Sequence, residues 1–181
     1  MYKFVCIKTE GNPFFLEEII NSLIQNEVLC KENEEWILKA EIDNINVPST
    51  IQGLLNARLD SMEQSRKIVF QEASVIGRTF NYQLLKKITL LSDSIDRHLS
   101  ELTTLDLLQI KSLKPELEYT FKHALTQEVA YNSLLKSQRK EIHGKIGFEI
   151  ERLFKDRLPE LYESLSYHFT ESGLVDKAID Y

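Results

Sequence analysis

Glycine is scarce in this sequence. Its six residues are scattered over 181 positions, and none belongs to a G-x-x-x-x-G-K-[ST] or G-x-G-x-x-G element. Such loops hold phosphates with closely spaced backbone N–H groups. Their absence leaves no phosphate cradle and no magnesium site, so no ATP hydrolysis is expected from this chain alone. Cysteine is scarcer still. Cys6 and Cys30 form no C-x-x-C pair, which argues against a zinc cluster or a disulfide framework. Two free thiols fit a reducing cytoplasm, each serving as a small apolar residue. Positive charge is in deficit, with 22 Lys and Arg against 28 Asp and Glu and a net charge of −6. Nucleic acid is therefore a poor partner, because phosphate contacts need a concentrated basic face. No apolar run reaches the length of a membrane span, and Met1–Ile7 is too short for a signal-peptide core. A cytoplasmic protein with no membrane partner is expected.

What is present describes an ordinary globular chain: 43% hydrophobic and 28% charged residues, enough for one sizeable domain or two small ones. Asn12 is a good helix cap and Pro13 suits the first helical position. Phe15, Leu16, Ile19, Ile20, Leu23 and Ile24 then repeat with helical spacing. Val28-Leu29-Cys30 and Trp36-Ile37-Leu38, separated by a polar turn, predict a small hairpin. Asn44 to Pro48 reads as a connector. Ser49 is the expected cap of a helix from about Thr50 to Met62, followed by helices over Gln64–Val75, after Asn81 and after Asp93. Strand-like runs at Leu107–Leu113 and Leu117–Lys122 come next. Helices followed by a two-stranded hairpin give the order of a winged-helix domain.

From Ala124 the helical period returns. Ser166, Phe169, Gly173 and Ala178 match the small, aromatic, Gly and Ala spacing of a tetratricopeptide repeat. The chain stops inside the second helix of that repeat and starts just before the first helix, so both ends read as cuts through a longer architecture.

Each polar candidate has a plain alternative. His98, His143 and His168 have no H-E-x-x-H spacing and read as partly buried helix residues; no metal site is expected. No Ser or Cys sits in a nucleophile elbow, so no catalytic residue is assigned. Glu17-Glu18 and Lys86-Lys87 read as solvated faces, as do Arg139 and Lys140. His123 stands where the second wing strand meets a helix. It could donate to a phosphate there, or simply cap and pack; the residue alone favours the second. Gly11-Asn12-Pro13 could bring backbone and a proline ring against a purine, or could be just a well-made helix start. On its own it favours the helix start.

Several segments together resemble a family. Thr9-Glu10-Gly11-Asn12-Pro13-Phe14-Phe15-Leu16-Glu17-Glu18, the run Val47 to Asp60, the run Ala73 to Phe80, and above all L-E-Y-T-F-K-H-A-L-T-Q-E-V-A-Y over Leu117–Tyr131 are similar to signal-transduction ATPases of the STAND class, AAA-like proteins of the type fused in bacteria to adenylate or guanylate cyclase domains. The resemblance implies a mainly α fold. Residues 1–46 would hold the end of the ATPase core and a helical lid with its small hairpin, 47–136 a winged-helix domain, and 137–181 a linker helix and the first tetratricopeptide repeat of an α-solenoid. It implies nucleotide contacts at Gly11, Asn12, Pro13 and His123, with Pro13 near adenine and His123 sensing phosphate. Ala124 follows where relatives often carry Asp. The P-loop core is the expected partner, with a cyclase domain beyond it and other proteins bound through the helical repeats. ATP or ADP would be the cofactor of the intact protein, with no tight binding to this chain alone. In the implied switch, ADP holds core, lid and winged helix closed, and exchange to ATP releases them.

Two other classes fit parts of the pattern. A winged-helix transcriptional regulator would read DNA through the helix after Asn81, which offers Gln83, Lys86 and Lys87. A stand-alone interaction module would use the helical repeat.

Overall fold

The computed structural model describes residues 9–39 and 48–181. The expectations for Cys6, for Val47 and for most of the Asn44–Pro48 connector, and the domain boundary between residues 46 and 47, lie outside the described residues. The chain divides into two compact units, Met1–Ser61 and Met62–Tyr181.

The first unit is built on α1 (Pro13–Gln25), whose apolar stripe buries Phe15, Ile19 and Leu23. A hairpin follows, β1 (Leu29–Glu32) against antiparallel β2 (Glu35–Leu38), in register from Leu29↔Leu38 to Glu32↔Glu35. Its two turn residues, Asn33 and Glu34, both take positive φ, as tight hairpin turns require. The next helix, α2 (Ile51–Asp60), is capped by Thr50, whose Oγ1 accepts the Gly53 N–H at 3.1 Å. Ser49, the expected cap, lies one residue too early. Phe15, Ile19, Leu23, Leu29 and Leu54 form one core cluster joining α1, β1 and α2.

The second unit begins with α3 (Gln64–Ile76), β3 (Thr79–Asn81), α4 (Tyr82–Ile88), α5 (Ile95–Thr104), β4 (Leu108–Ser112) and β5 (Glu118–Phe121). The three strands form one antiparallel sheet in the order β3-β5-β4. Helix–strand–helix–helix–strand–strand is the order of a winged helix. Strand β3 was not expected from the sequence. Three residues carry no periodic signal, and β3 exists because Thr79, Phe80 and Asn81 pair with Thr120, Tyr119 and Glu118. Phe80 and Phe121 are fully buried and, with Phe70, form the aromatic centre, at ring separations of 5.0 and 5.9 Å.

Five further helical elements complete the unit: α6 (Ala124–Asn132), α7 (Lys136–Leu153), a 3₁₀ stretch (Lys155–Leu161), α8 (Tyr162–Ser172) and α9 (Val175–Ile179). Helices α7 and α8 approach closely because Gly147 has no side chain. A Cβ there would stand 2.6 Å from Phe169 Cε1. Gly173, at φ 76°, ends α8 in the left-handed conformation. The protein is thus mainly helical, with small antiparallel sheets. Among the described residues no helix is long and apolar enough to cross a membrane.

Candidate functional site

The start of α1 is shaped by Glu10 and Gly11, both at positive φ. An added Cβ at Gly11 would meet nothing within 4 Å, so glycine serves the backbone turn there and not a shortage of space. Asn12 then caps the helix, its Oδ1 accepting the N–H groups of Phe14 at 3.0 Å and Phe15 at 3.2 Å. Those two donors are consumed by the cap, which weakens this helix start as an anion site. Pro13 occupies the first helical position and is exposed, as are Glu10, Gly11 and Asn12 before it.

One turn along, Glu18 departs from the solvated face expected of it. Its carboxylate is 3% exposed and receives Arg58 Nη1 at 2.9 Å on Oε1 and 2.8 Å on Oε2. Glu18 follows Phe15 by three residues and precedes Ile19, so helical geometry carries it onto the buried stripe. Arg58, from α2, neutralises it there. The pair ties the two helices of the first unit together and fixes the direction in which α1 presents its N-terminus.

His123 lies in the second unit. It is the N-cap residue of α6 (φ −123°, ψ 137°) and half-buried. Its carbonyl accepts the N–H groups of Thr126 at 3.2 Å and Gln127 at 3.4 Å. Both sides of the junction are anchored. Phe121 is buried in the sheet just before it, and Gln127 Nε2 donates to the Ser74 carbonyl of α3 at 2.7 Å just after it. Lys122 pairs with Asp106. The His123 backbone therefore sits on a strand-to-helix corner anchored on both sides.

The other histidines are more buried than expected. His98 is fully enclosed, with Ser94 Oγ 3.2 Å from Nε2 and Glu101 Oε2 3.8 Å from Nδ1. His143 of α7 and His168 of α8 meet through their Nδ1 atoms at 2.8 Å, and Tyr131 OH lies 3.1 Å from His143 Nε2. Burial, aided by the nearby Arg139 cation, lowers His143 to about 4. Burial, aided by His143 itself, lowers His168 to about 3. Twenty-five positions separate the two in sequence, so spacing alone could not pair them. Both rings are neutral at physiological pH and can share a single hydrogen between facing nitrogens. Among the described residues, no group of three or more His, Cys, Asp or Glu side chains could hold a metal ion.

No family model matches the sequence. An uncharacterized protein of Rhizobium meliloti (strain 1021) is 25% identical over 175 residues, a stretch covering 93% of this chain and 16% of that relative. The chain thus spans about a sixth of the length of the protein it resembles.

Proposed function

We propose that this chain is the regulatory, nucleotide-sensing portion of a multidomain cytoplasmic signalling ATPase of the STAND class. In this proposal α1 and its hairpin are the lid, α2 to α6 with the β3-β5-β4 sheet are the winged-helix domain, α7 is the linker helix, and α8–α9 open a tetratricopeptide array that meets partner proteins. The observation carrying the proposal is the winged-helix order whose last strand runs through His123 directly into α6. A histidine at a helix start is the kind of residue that can donate to a terminal phosphate, which supports the sensing role. Exposed Pro13 supports a packing role against adenine. Alignment of nearly the whole chain to a sixth of a longer protein supports membership in a larger assembly.

The phosphates and magnesium would be held by a P-loop core, and this chain would contribute no hydrolysis. ADP would favour the closed arrangement only through contacts that ATP does not make equally well. His123 is the residue to supply that difference.

The competing DNA-binding reading gains nothing from the geometry. In a winged helix the third helix enters the groove, and here that is α5, whose exposed residues are Asp96, Arg97, Ser100 and Thr104. The helix offering Gln83, Lys86 and Lys87 is the second, and Lys86 is engaged by Tyr82 OH at 3.3 Å.

The test is nucleotide binding by the full-length protein and by this chain. Pro13→Ala and His123→Ala should each weaken ADP binding to the full-length protein about tenfold, or 1.4 kcal/mol. His123→Ala should also shrink the preference for ADP over ATP. Magnesium-dependent ATP turnover by the chain alone, or ADP affinity untouched by both substitutions, would reject the proposal.

A further inference from the structure

The start of α7 carries charges that its own helix disfavours. Lys136, Arg139 and Lys140 stand at its first, fourth and fifth positions, and its first turn has no acidic residue. The helix dipole favours anions at that end and opposes cations, by about 0.3–1 kcal/mol for each charge. The ion pairs made by α7 are Glu141–Lys145, Glu149–Arg152 and Glu151–Lys177. Among the described residues none of them engages Lys136, Arg139 or Lys140. In a chain of net charge −6, this concentration of unneutralised cations is a local exception.

The same three side chains line one cleft of about 300 Å³ with Tyr131 and Glu171. Arg139 is positioned by an aromatic contact. The Arg139 guanidinium lies over the Tyr131 ring, 4.7 Å from its centre. The end of Lys140 passes Gly173, its Nζ 2.8 Å from where a Cβ would stand. Glu171 is the single carboxylate of the lining, so the cleft keeps a positive excess. Arg139 occupies one face of the Tyr131 ring, and the Tyr131 hydroxyl is turned to His143. The cleft is at the small end of ligand-site volumes.

The geometry points to a binding cleft for a compact phosphate-bearing anion. Arg139 offers the planar fork that matches two phosphate oxygens, and Lys136 and Lys140 supply further point charges in the same cleft. The ligand is recognised by its phosphates and not by a base. This site is separate from Pro13 and His123, and it stands or falls independently of the proposed switch.

The experiment uses the 181-residue chain at low ionic strength, with inorganic pyrophosphate as probe, calorimetry for binding and thermal unfolding as a second readout. One saturable site per chain is expected, with Kd below about 1 mM and a rise in melting temperature with ligand concentration. ADP should bind no tighter than pyrophosphate. Lys136→Ala and Arg139→Ala should each weaken binding several-fold, and together at least about tenfold. Lys136 is exposed, so its loss cannot unfold the chain. Without ligand the double variant should melt no lower than the parent, because a dipole conflict is relieved. Lys87→Ala and Lys111→Ala, which remove surface cations elsewhere, should leave binding unchanged. Absence of saturable binding up to about 10 mM, equal weakening by the distant lysine variants, or equal affinity for sulfate and chloride would overturn the assignment.

Discussion

His143 and His168 face each other nitrogen to nitrogen at 2.8 Å inside the α7–α8 interface, both essentially without solvent contact. Each titrates well below an ordinary histidine because burial penalises its charged form, His143 at about 4 and His168 at about 3. Between those values and the unfolded value of about 6.5, the unfolded chain binds more protons than the folded one. Stability therefore rises with pH across this window and is lost as pH falls from about 6.5 toward 4. Urea midpoints measured at pH 7.5, 6 and 5 should fall in that order. The His143→Gln/His168→Gln double variant should show a much flatter dependence. The same slope in both proteins would place the acid sensitivity elsewhere.

Glu18 and Arg58 make the second test. Both are nearly without exposure, and the carboxylate is held bidentately by one guanidinium nitrogen. Arg58→Ala would leave a buried charge without this partner, a change that costs about 3–5 kcal/mol. Replacing both residues with apolar side chains, Glu18→Leu with Arg58→Met, should recover most of the loss, since a buried ion pair is often no more stable than well-packed apolar residues. Denaturant unfolding of the two variants decides it. A double variant as unstable as Arg58→Ala would show that the pair is required for more than charge balance.

The sequence made the long periodic elements legible and missed what depends on tertiary approach. Helices α1, α3 and α5 and the hairpins around Asn33 and Pro115 follow from apolar spacing and turn residues. Strand β3 is three residues whose only reason to be extended is their pairing with β5. Glu18 read as solvated because its neighbour Glu17 suggested a charged face, although its spacing from Phe15 already placed it on the buried stripe. The His143–His168 contact joins two helices and leaves no local trace. Of the expected site residues, Asn12 and His123 stand at helix caps as their positions suggested. The basic cleft was hidden because Arg139 and Lys140 looked like any surface cations until Tyr131 and Glu171 closed around them.

Glu72 of α3 offers a third prediction. One of its oxygens is buried with no hydrogen-bond partner, and burial raises its pKa, opposed by a hydrogen bond from Thr89. A carboxyl whose folded pKa is raised favours folding most at low pH, and that advantage is lost as pH rises through its folded value. At pH 7, well above the unfolded value, keeping this carboxyl in its buried place is a cost. Glu72→Gln should therefore raise the urea midpoint at pH 7, by a free energy of order 1 kcal/mol. The gain should shrink at pH 4. A destabilised Glu72→Gln at pH 7 would mean that the charge is used, most directly through Lys145, whose field acts on it.

Two glycines of α7 should respond oppositely to the same substitution. Gly147 faces Phe169, where an added Cβ would stand 2.6 Å from Cε1 and 2.9 Å from Cζ. Phe169 is fully buried, so the ring has no room to retreat without disturbing the Phe148 and Tyr181 rings that pack on it. Gly147→Ala should destabilise by about 1–3 kcal/mol through overpacking, in spite of the better helix propensity of alanine. Gly144, one turn earlier, would place its Cβ 3.6 Å from Ser172 Cβ, an ordinary contact. There the propensity gain is unopposed, and Gly144→Ala should stabilise by up to about 1 kcal/mol. Thermal unfolding of the pair separates close helix packing from backbone entropy. If Gly147→Ala matches Gly144→Ala, the α7–α8 interface is looser than its geometry requires, and the buried histidine contact beside it would lose its support as well.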